Sequence, residues 1–527
     1  MRRLIALLIA AFAAAYLAWA PLAPDLAAQV ARAHLVQNSG LTVWWFGWYG
    51  GVSTPSYSVI VPTAMALLGV RLVGALAILA ACTAADRLMQ DAPRRRAGVA
   101  AFALAVAANA VDGRVTFAAG LAAACWALVA VRRQRKLVSI AFGVLTLLCS
   151  PLAALFLGLV LVGVLITEAT RRRLAAANAA TLLAGAVALQ ALFPGTGAMP
   201  YSWTDPLPAA AACLLVALLC RSPVVRMCSG LMVLAMAACF AVPGAVGDNI
   251  TRLAWVAAVP VIVGWASVER RLVVSVAAVA VAIWPAADLA EQLAASRSPA
   301  ARAAFYRPLT RELTELQATT GSSGVGQRVE VVDPANHWSS AYLAAFSLAR
   351  GWDRQADAAD NPIFYDHTLT TSTYQSWLHE LAVRWVARPA TTLDYASRDE
   401  AALIDSKPPY LRPVWHNSDW QLYEVLGATA LADGASVTAV NASSITLVPD
   451  RPNSTVQLRV RWNRYLAVTD ALTQQPVKAC IRDVDGWVNL SGLGYRPVVV
   501  HSDFSAAATF ADTDTYCAGT PGPPGGG

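Results

Sequence analysis

The residues with the clearest chemical potential form a short polar stripe after the first apolar run. Asp25, Gln29 and Arg32 are spaced by four and then three positions, so a helix beginning at Pro24 would place all three on one face. A carboxylate can accept a proton, and a guanidinium can bind an anion through two parallel hydrogen bonds. The structural alternative is a helix N-terminal acid stabilised by the helix dipole, followed by a solvated stripe.

An aromatic segment follows the stripe. It contains Trp44, Trp45, Trp48 and Tyr49, and His34 precedes it on the stripe helix. Clustered aromatic side chains are most often an interfacial belt of a membrane protein. A glycine-hinged aromatic loop next to an acid could also stack on a sugar or shield a lipid-linked substrate, so these side chains, together with Gln29, Arg32 and His34, are candidate substrate-binding residues.

A second candidate lies in the turn at 247–252, where Asp248 precedes Arg252. Arg252, with Arg32 and Arg114, could bind phosphate oxygens bidentately. The alternative is an interfacial arginine paired with Asp248. The histidines do not lie at ligand spacing from one another or from a cysteine, so we predict no metal site, although a divalent cation stays an open alternative.

The elements that must position these side chains follow from an apolar composition. Of 527 residues, 57% are hydrophobic and 14% charged, and the mean hydropathy is +0.49. This balance is too apolar for a soluble globular chain and is typical of membrane proteins. The formal net charge of +7 comes from arginine clusters between apolar runs, which argues against nucleic-acid binding.

The arginine clusters divide residues 1–290 into intervals that each hold enough apolar sequence for two crossings and a short turn. Positive residues favour the cytoplasmic side, so we predict about eleven membrane-spanning helices with a cytoplasmic N-terminus. Residues 58–70 are predicted to form an interfacial or re-entrant helix. The clusters lie at residues 2–3, 94–96, 132–136, 171–173, 221–226 and 270–271.

The rest of the chain is expected to fold outside the membrane. Mixed helix and strand patterns predict an α/β domain over 291–427, and alternating strands predict a β-sandwich over 428–518, a candidate carbohydrate-binding domain. Residues 519–527, rich in Pro and Gly, are predicted to be disordered. Cys480 and Cys517 are the only cysteines of this region and would pair in an oxidising compartment.

The chain resembles the GT-C superfamily of integral-membrane glycosyltransferases in three predicted features. These are about eleven helices, a large first outer loop that carries Asp25 just after the first span, and a soluble C-terminal region outside the membrane. The resemblance implies a multi-pass plasma-membrane enzyme, of inverting type, that moves a sugar from a polyprenyl-phosphate donor to a cell-envelope glycan or lipid acceptor on the extracytoplasmic face. Asp25 would be its catalytic residue and the candidate base. The segments at 361–365 and 374–378 further resemble uncharacterised actinobacterial membrane proteins.

Two other functions stay open. Many spans suit a transporter or flippase of envelope precursors, but charged residues are not predicted deep inside the spans, where coupling residues usually lie. A non-catalytic scaffold for envelope assembly is the third alternative. A cavity at the outer face that converges on Asp25 would favour the enzyme, whereas a midplane cavity between two similar halves would favour transport.

Overall fold

The computed structural model describes residues 2–320, 325–509 and 517, which divide into two compact units. Unit 1 comprises Met1–Gln37 and Ser56–Ser298, and unit 2 comprises Asn38–Pro55 and Pro299–Gly527. The predicted membrane domain, 1–290, therefore differs from unit 1 at two places. The aromatic segment belongs to unit 2, and the last apolar helix continues beyond residue 290. The predicted disordered tail, 519–527, lies outside the described residues.

Unit 1 is a bundle of apolar helices whose boundaries fall at the predicted turns and arginine clusters. The helices are α1 (Arg2–Trp19), α2 (Pro24–Ser39), α3 (Val61–Leu68), α4 (Val70–Leu88), α5 (Arg95–Val111), α6 (Val115–Arg132), α7 (Lys136–Cys149), α8 (Pro151–Thr167), α9 (Arg172–Leu192), α10 (Pro206–Leu219), α11 (Pro223–Ala241), α12 (Arg252–Trp265) and α13 (Arg271–Ser296).

Several of these helices are long and apolar enough to cross a bilayer. Among the described residues there are four such helices, or up to six if each of two sharply bent helix pairs forms one span. The protein is thus a membrane protein, but the predicted count of about eleven spans is not confirmed. One bent pair joins α3 to α4 at 117°, close to the predicted re-entrant segment. Gly69, at φ +84°, allows this break because a left-handed backbone is costly for other residues.

Small residues let the helices of unit 1 approach closely. A side chain at Gly98 of α5 would meet the Cα atom of Gly264 in α12 at 3.0 Å. A side chain at Gly120 of α6 would meet Ser150 and Ala153 at 2.8 Å. Ser150 also caps α8, because its Oγ accepts a hydrogen bond from the backbone N–H of Ala153 at 3.3 Å.

Unit 2 contains the other α-helices and the strands that the structure describes. Its helices are α14 (Ala303–Thr320), α15 (Ser339–Tyr342), α16 (Arg354–Asp360), α17 (Thr371–Glu380) and α18 (Arg398–Asp405). Its strands are β1 (Trp44–Trp45), β2 (Val52–Ser53), β3 (Arg328–Val331), β4 (Val383–Pro389), β5 (Leu411–His416), β6 (Trp420–Val425), β7 (Ala432–Asp433), β8 (Ala435–Val440), β9 (Ser444–Pro449), β10 (Val456–Arg461), β11 (Leu466–Asp470), β12 (Cys480–Val484), β13 (Trp487–Ser491) and β14 (Val498–Ser502).

The strands form an α/β layer followed by a pair of antiparallel sheets. The first sheet has the order β3-β4-β6-β5, in which β3 is parallel to β4 and the other pairs are antiparallel. Two further sheets, β12-β13-β10-β7 and β11-β14-β9-β8, share one apolar core. Alternate side chains of β9 and β10 are buried, which gives a sandwich the apolar inner face it needs. Cys480 and Cys517 form the predicted disulfide.

Candidate functional site

The candidate site is built around the tight turn 112–114, which joins α5 to α6 at one end of unit 1. Gly113 has φ +87°, and any side chain there would overlap the backbone of Leu26 near the start of α2. Only glycine permits both the backbone conformation and this contact. The contact brings the first turn of α2, with Asp25, against the turn that carries Asp112 and Arg114.

Gln29 holds these two segments together. Its side chain is fully buried, and its Oε1 accepts a hydrogen bond from the backbone N–H of Thr116 at 2.9 Å. Its Nε2 donates to the carbonyls of Gly113 and Asp25, the latter at 3.2 Å. Gln29 was predicted to contact a substrate. The enclosed amide, engaged with backbone groups on both sides, is better suited to positioning Asp25.

Arg114 lies at the centre of three carboxylates. Its Nε donates to Oδ2 of Asp25 at 2.8 Å, its Nη1 to Oδ2 of Asp112 at 3.1 Å, and its Nη2 to Oδ2 of Asp288 at 3.3 Å. The three acids come from α2, the 112–114 turn and α13, which are distant in sequence. One guanidinium therefore joins three elements of the bundle, through charge-assisted hydrogen bonds of the stronger kind.

A second arginine approaches the same cluster. Nη2 of Arg252, the first residue of α12, lies 3.8 Å from Oδ2 of Asp25. The sequence also allowed an ion pair between Arg252 and Asp248. The ion pair that the structure shows for Arg252 is instead with Asp25. Asp248 is half-buried in the preceding 3-10 turn, where burial raises the pKa of its carboxyl to about 6.

The environment of Asp112 differs from that of the other two acids. Its side chain is 7% exposed, compared with 29% for Asp25 and 22% for Asp288. Burial, together with the neighbouring carboxylates, raises its pKa to about 7, despite the opposing effect of Arg114. Its Oδ1 is buried, and no described side chain or backbone group forms a hydrogen bond with it. For Arg114, burial opposes the charge, but the carboxylates dominate and raise the guanidinium pKa.

An apolar cavity of about 240 Å³ adjoins the cluster, between α5, α12 and α13. Its polar end contains Asp112, Arg114, Arg252 and Asp288, and its remaining walls are hydrocarbon apart from Asn109. The apolar walls come from Leu104, Ala105 and Ala108 of α5, Trp255, Val256 and Val259 of α12, and Ala282, Pro285 and Leu289 of α13. The arrangement can bind an amphipathic anion, with its charge at the arginines and its apolar part between the helices.

The structure separates the other predicted residues of α2. Arg32 is buried, and its guanidinium lies 4.3 Å from the ring centre of Tyr57. His34 is exposed on the same helix. Neither residue lines the cavity beside Arg114. Of the predicted stripe, only Asp25 joins the charged cluster directly.

The predicted aromatic residues lie in unit 2 and are buried there. Trp48 packs on Gly351, and the Tyr49 hydroxyl accepts a hydrogen bond from the backbone N–H of Asp353 at 2.9 Å. Trp44, Trp45, Trp48 and Tyr49 are each at most 5% exposed. This burial leaves little ring surface for a sugar and favours a packing role for the four side chains over the expected interfacial or substrate-facing one.

The donor set does not fit a divalent cation. Within the described ranges, no group of three or more His, Cys, Asp and Glu side chains is arranged to hold a metal ion. Where Asp25, Asp112 and Asp288 converge, the guanidinium of Arg114 occupies the place that a cation would take.

The sequence pattern alone does not mark out Asp112 or Asp288, and Arg114 is only one of three candidate phosphate-binding arginines in it. Asp112 and Arg114 flank a glycine in a short turn between two apolar runs, which indicated an ordinary turn. Asp288 lies near the end of a long apolar helix and indicated only its boundary. The one available signal was the isolated charge on either side of Gly113, in a turn otherwise bounded by hydrophobic residues.

Comparison with known proteins yields structural matches only. No family model matches the chain, and no curated protein matches it significantly. The cryo-EM structure of the arabinofuranosyltransferase AftD from Mycobacteria matches with a TM-score of 0.47 at 12% identity, over 96% of this chain and 57% of AftD. A structure of an AftD mutant matches with a TM-score of 0.44 at 14% identity, over 96% and 60%. The chain thus spans less than two thirds of the length of these structures.

Proposed function

We propose that this chain is a membrane glycosyltransferase that moves a sugar from a polyprenyl-phosphate donor to a cell-envelope glycan or lipid acceptor on the extracytoplasmic face. The observation that carries the proposal is the placement of Arg114 and Arg252 at the polar end of an apolar cavity, with the Asp25 carboxylate in contact with both guanidinium groups. A lipid-linked phosphate has the same division into an anionic group and a hydrocarbon chain.

The arginines provide the anion site. Arg252 and Arg114 both contact Asp25. A donor phosphate, held by guanidinium groups through paired hydrogen bonds, competes for these contacts. The polyprenyl chain then lies along the cavity between α5, α12 and α13. Donor binding thereby weakens the pairing of Asp25 and leaves its carboxylate available beside the sugar.

Asp25 is the general base in this proposal, because it is the most exposed of the three acids. It takes the proton of the acceptor hydroxyl while the acceptor oxygen bonds to the anomeric carbon. The bond from that carbon to the phosphate oxygen breaks, and the polyprenyl phosphate leaves with one more negative charge. Arg252 and Arg114 stabilise that charge. Asp112, with its pKa of about 7, is the rival for the base.

The extracytoplasmic location is inferred from charge and redox state. Arginine clusters lie at the ends of α5 and α13 opposite to Asp112 and Asp288, and by the positive-inside rule they favour the cytoplasm for those ends. The Cys480–Cys517 disulfide of unit 2 supports an oxidising compartment on the other side. The charged cluster also lies at helix ends rather than at the middle of the spans, which favours the enzyme over a transporter.

The test is a transfer assay on the purified full chain with a panel of radiolabelled polyprenyl-phosphate sugars and short envelope-glycan acceptors. We expect one donor to yield elongated acceptor and free polyprenyl phosphate. Arg252→Ala should reduce donor binding, and Arg252→Lys should restore it only partly because the bidentate geometry is lost. Asp86→Asn, which removes another arginine-paired acid of unit 1, is the matched control and should be active.

The alternatives predict different outcomes. Movement of the labelled lipid across vesicles that contain the protein, without elongated acceptor, would replace the enzyme with a flippase. Glycan binding without transfer or lipid movement, for every donor in the panel, would support the scaffold.

A further inference from the structure

A second cavity lies at the opposite end of α5 and α13 from the acidic cluster. It has a volume of about 980 Å³ and opens between the first turns of the two helices, with Val263 of α12 in its wall. Helix α5 spans Arg95–Val111, so at 1.5 Å per residue its ends are about 25 Å apart. The cavity is therefore distinct from the donor site proposed above.

The mouth of this cavity is strongly basic. Arg94, Arg95, Arg96 and Arg271 contribute to its lining, and no acidic side chain of the described chain does. Two of these arginines are already engaged. Arg94 donates to the carbonyls of Ala266 and Val268 at 2.9 and 2.6 Å, and Arg95 pairs with Asp86 at 2.7 Å.

The other two arginines, Arg96 and Arg271, are available for a ligand. Both are exposed, and neither forms a side-chain hydrogen bond or ion pair with a described residue. Helices α5 and α13 also begin at this mouth, so their N-terminal dipoles add to the positive potential. The two exposed arginines and the two helix N-termini together favour the binding of an anion.

The walls beyond the mouth are apolar. They include Val263 of α12 and Val274, Ala278 and Val279 of α13, and α13 exposes most of its hydrophobic surface. A free phosphate would satisfy the arginines but would make no contact with these walls. A ligand with an anionic head and hydrocarbon tails matches both parts, and basic pockets between membrane helices are suited to lipid headgroups.

We propose that this arginine-lined groove binds the headgroup of an acidic glycerophospholipid, with its phosphate at Arg96 and Arg271. One acyl chain lies along Val274, Ala278 and Val279. The lipid fills the space between α5 and α13 and contributes to holding α13 on the bundle. The site does not depend on the proposed glycosyl transfer.

The test measures lipid binding to the delipidated full chain in a neutral detergent by native mass spectrometry. Dioleoyl phosphatidylglycerol is titrated in parallel with dioleoyl phosphatidylcholine, which carries no net charge. The wild-type protein should prefer phosphatidylglycerol. The double variant Arg96→Gln, Arg271→Gln should lose about 10- to 30-fold in affinity, from about 1 kcal/mol for each arginine. The double variant Arg133→Gln, Arg135→Gln removes two exposed arginines beyond α6 and should bind as the wild type does.

Three results of the lipid titrations would overturn the proposal. The wild-type protein could bind the two lipids with equal affinity, or the Arg96 and Arg271 variant could bind phosphatidylglycerol as tightly as the wild type. The control variant could also lose as much affinity for phosphatidylglycerol as the Arg96 and Arg271 variant does. Inorganic phosphate forms a separate arm. If millimolar phosphate displaces the lipid completely, the site recognises an anion without its hydrocarbon part, and the lipid assignment fails.

Discussion

Replacing Arg114 with Gln should destabilise unit 1, because the change leaves Asp25, Asp112 and Asp288 facing one another without their shared cation. Removing one partner of a buried ion pair costs about 3–5 kcal/mol. Two of the three acids are more than one fifth exposed, so water screens part of the repulsion. We therefore expect the lower end of that range, about 3 kcal/mol.

Thermal unfolding of the purified protein in detergent measures this loss. A loss of about 3 kcal/mol corresponds to a fall in Tm of roughly 6–12 °C for a unit of this size. Arg95→Gln is the matched control, because its pair with Asp86 is about one third exposed and is worth under about 1 kcal/mol. Adding Asp288→Asn to the Arg114 variant should restore part of the Tm by removing one of the repelling charges.

The pH dependence provides a second check on the same variant. Protonation removes the charge of the clustered acids, so the deficit of Arg114→Gln should shrink as the pH falls from 8 towards 5. The stabilising role of Arg114 is contradicted if Arg114→Gln lowers the Tm no more than Arg95→Gln does. It is also contradicted if the loss of Tm in Arg114→Gln is the same at pH 8 and pH 5.

Three further predictions concern the disulfide, Asp112 and the orientation. The disulfide links cysteines 37 residues apart, so its reduction should destabilise unit 2 by about 4 kcal/mol in the chain-entropy model. Calorimetry with and without reductant measures this loss as a fall in Tm, and an unchanged Tm would contradict the prediction. The folded-state pKa of Asp112, about 7, is above its ordinary value, so the stability that this residue contributes at pH 4 is lost by pH 8. Asp112→Asn should therefore flatten the curve of Tm against pH over that range. An unchanged slope would contradict the raised pKa. An alkaline phosphatase fusion near residue 300 should be active and one near residue 134 inactive; the reverse pattern would invert the topology.

Local sequence patterns predicted much of the fold. The turn at 111–115 and the break at 150–151 separate α5 from α6 and α7 from α8, because each interrupts an apolar run with Gly or Pro. Strand β9 lies in the region where alternating strands were predicted, and burial alternates along it. These features depend on neighbours in sequence, so the pattern of side chains was sufficient.

The site depended on distant contacts and was predicted only in part. Asp25 and Arg252 were both proposed, and the structure brings them within 3.8 Å. The central role of Arg114 was not foreseen, because it follows from the packing of α2 on Gly113 and from the proximity of Asp288 in α13. The burial of the aromatic segment likewise depends on distant contacts. Its composition suits a membrane interface, but its rings are buried in unit 2.

The proposed role of Asp25 as the base of a sugar transfer from a lipid phosphate is tested by single-turnover transfer by Asp25→Asn, measured with the donor that the wild-type protein uses. The change keeps the shape and much of the hydrogen bonding but removes the proton acceptor, so the rate should fall by about 10²- to 10⁴-fold while donor binding persists. Near-normal transfer by a folded Asp25→Asn protein would contradict the account.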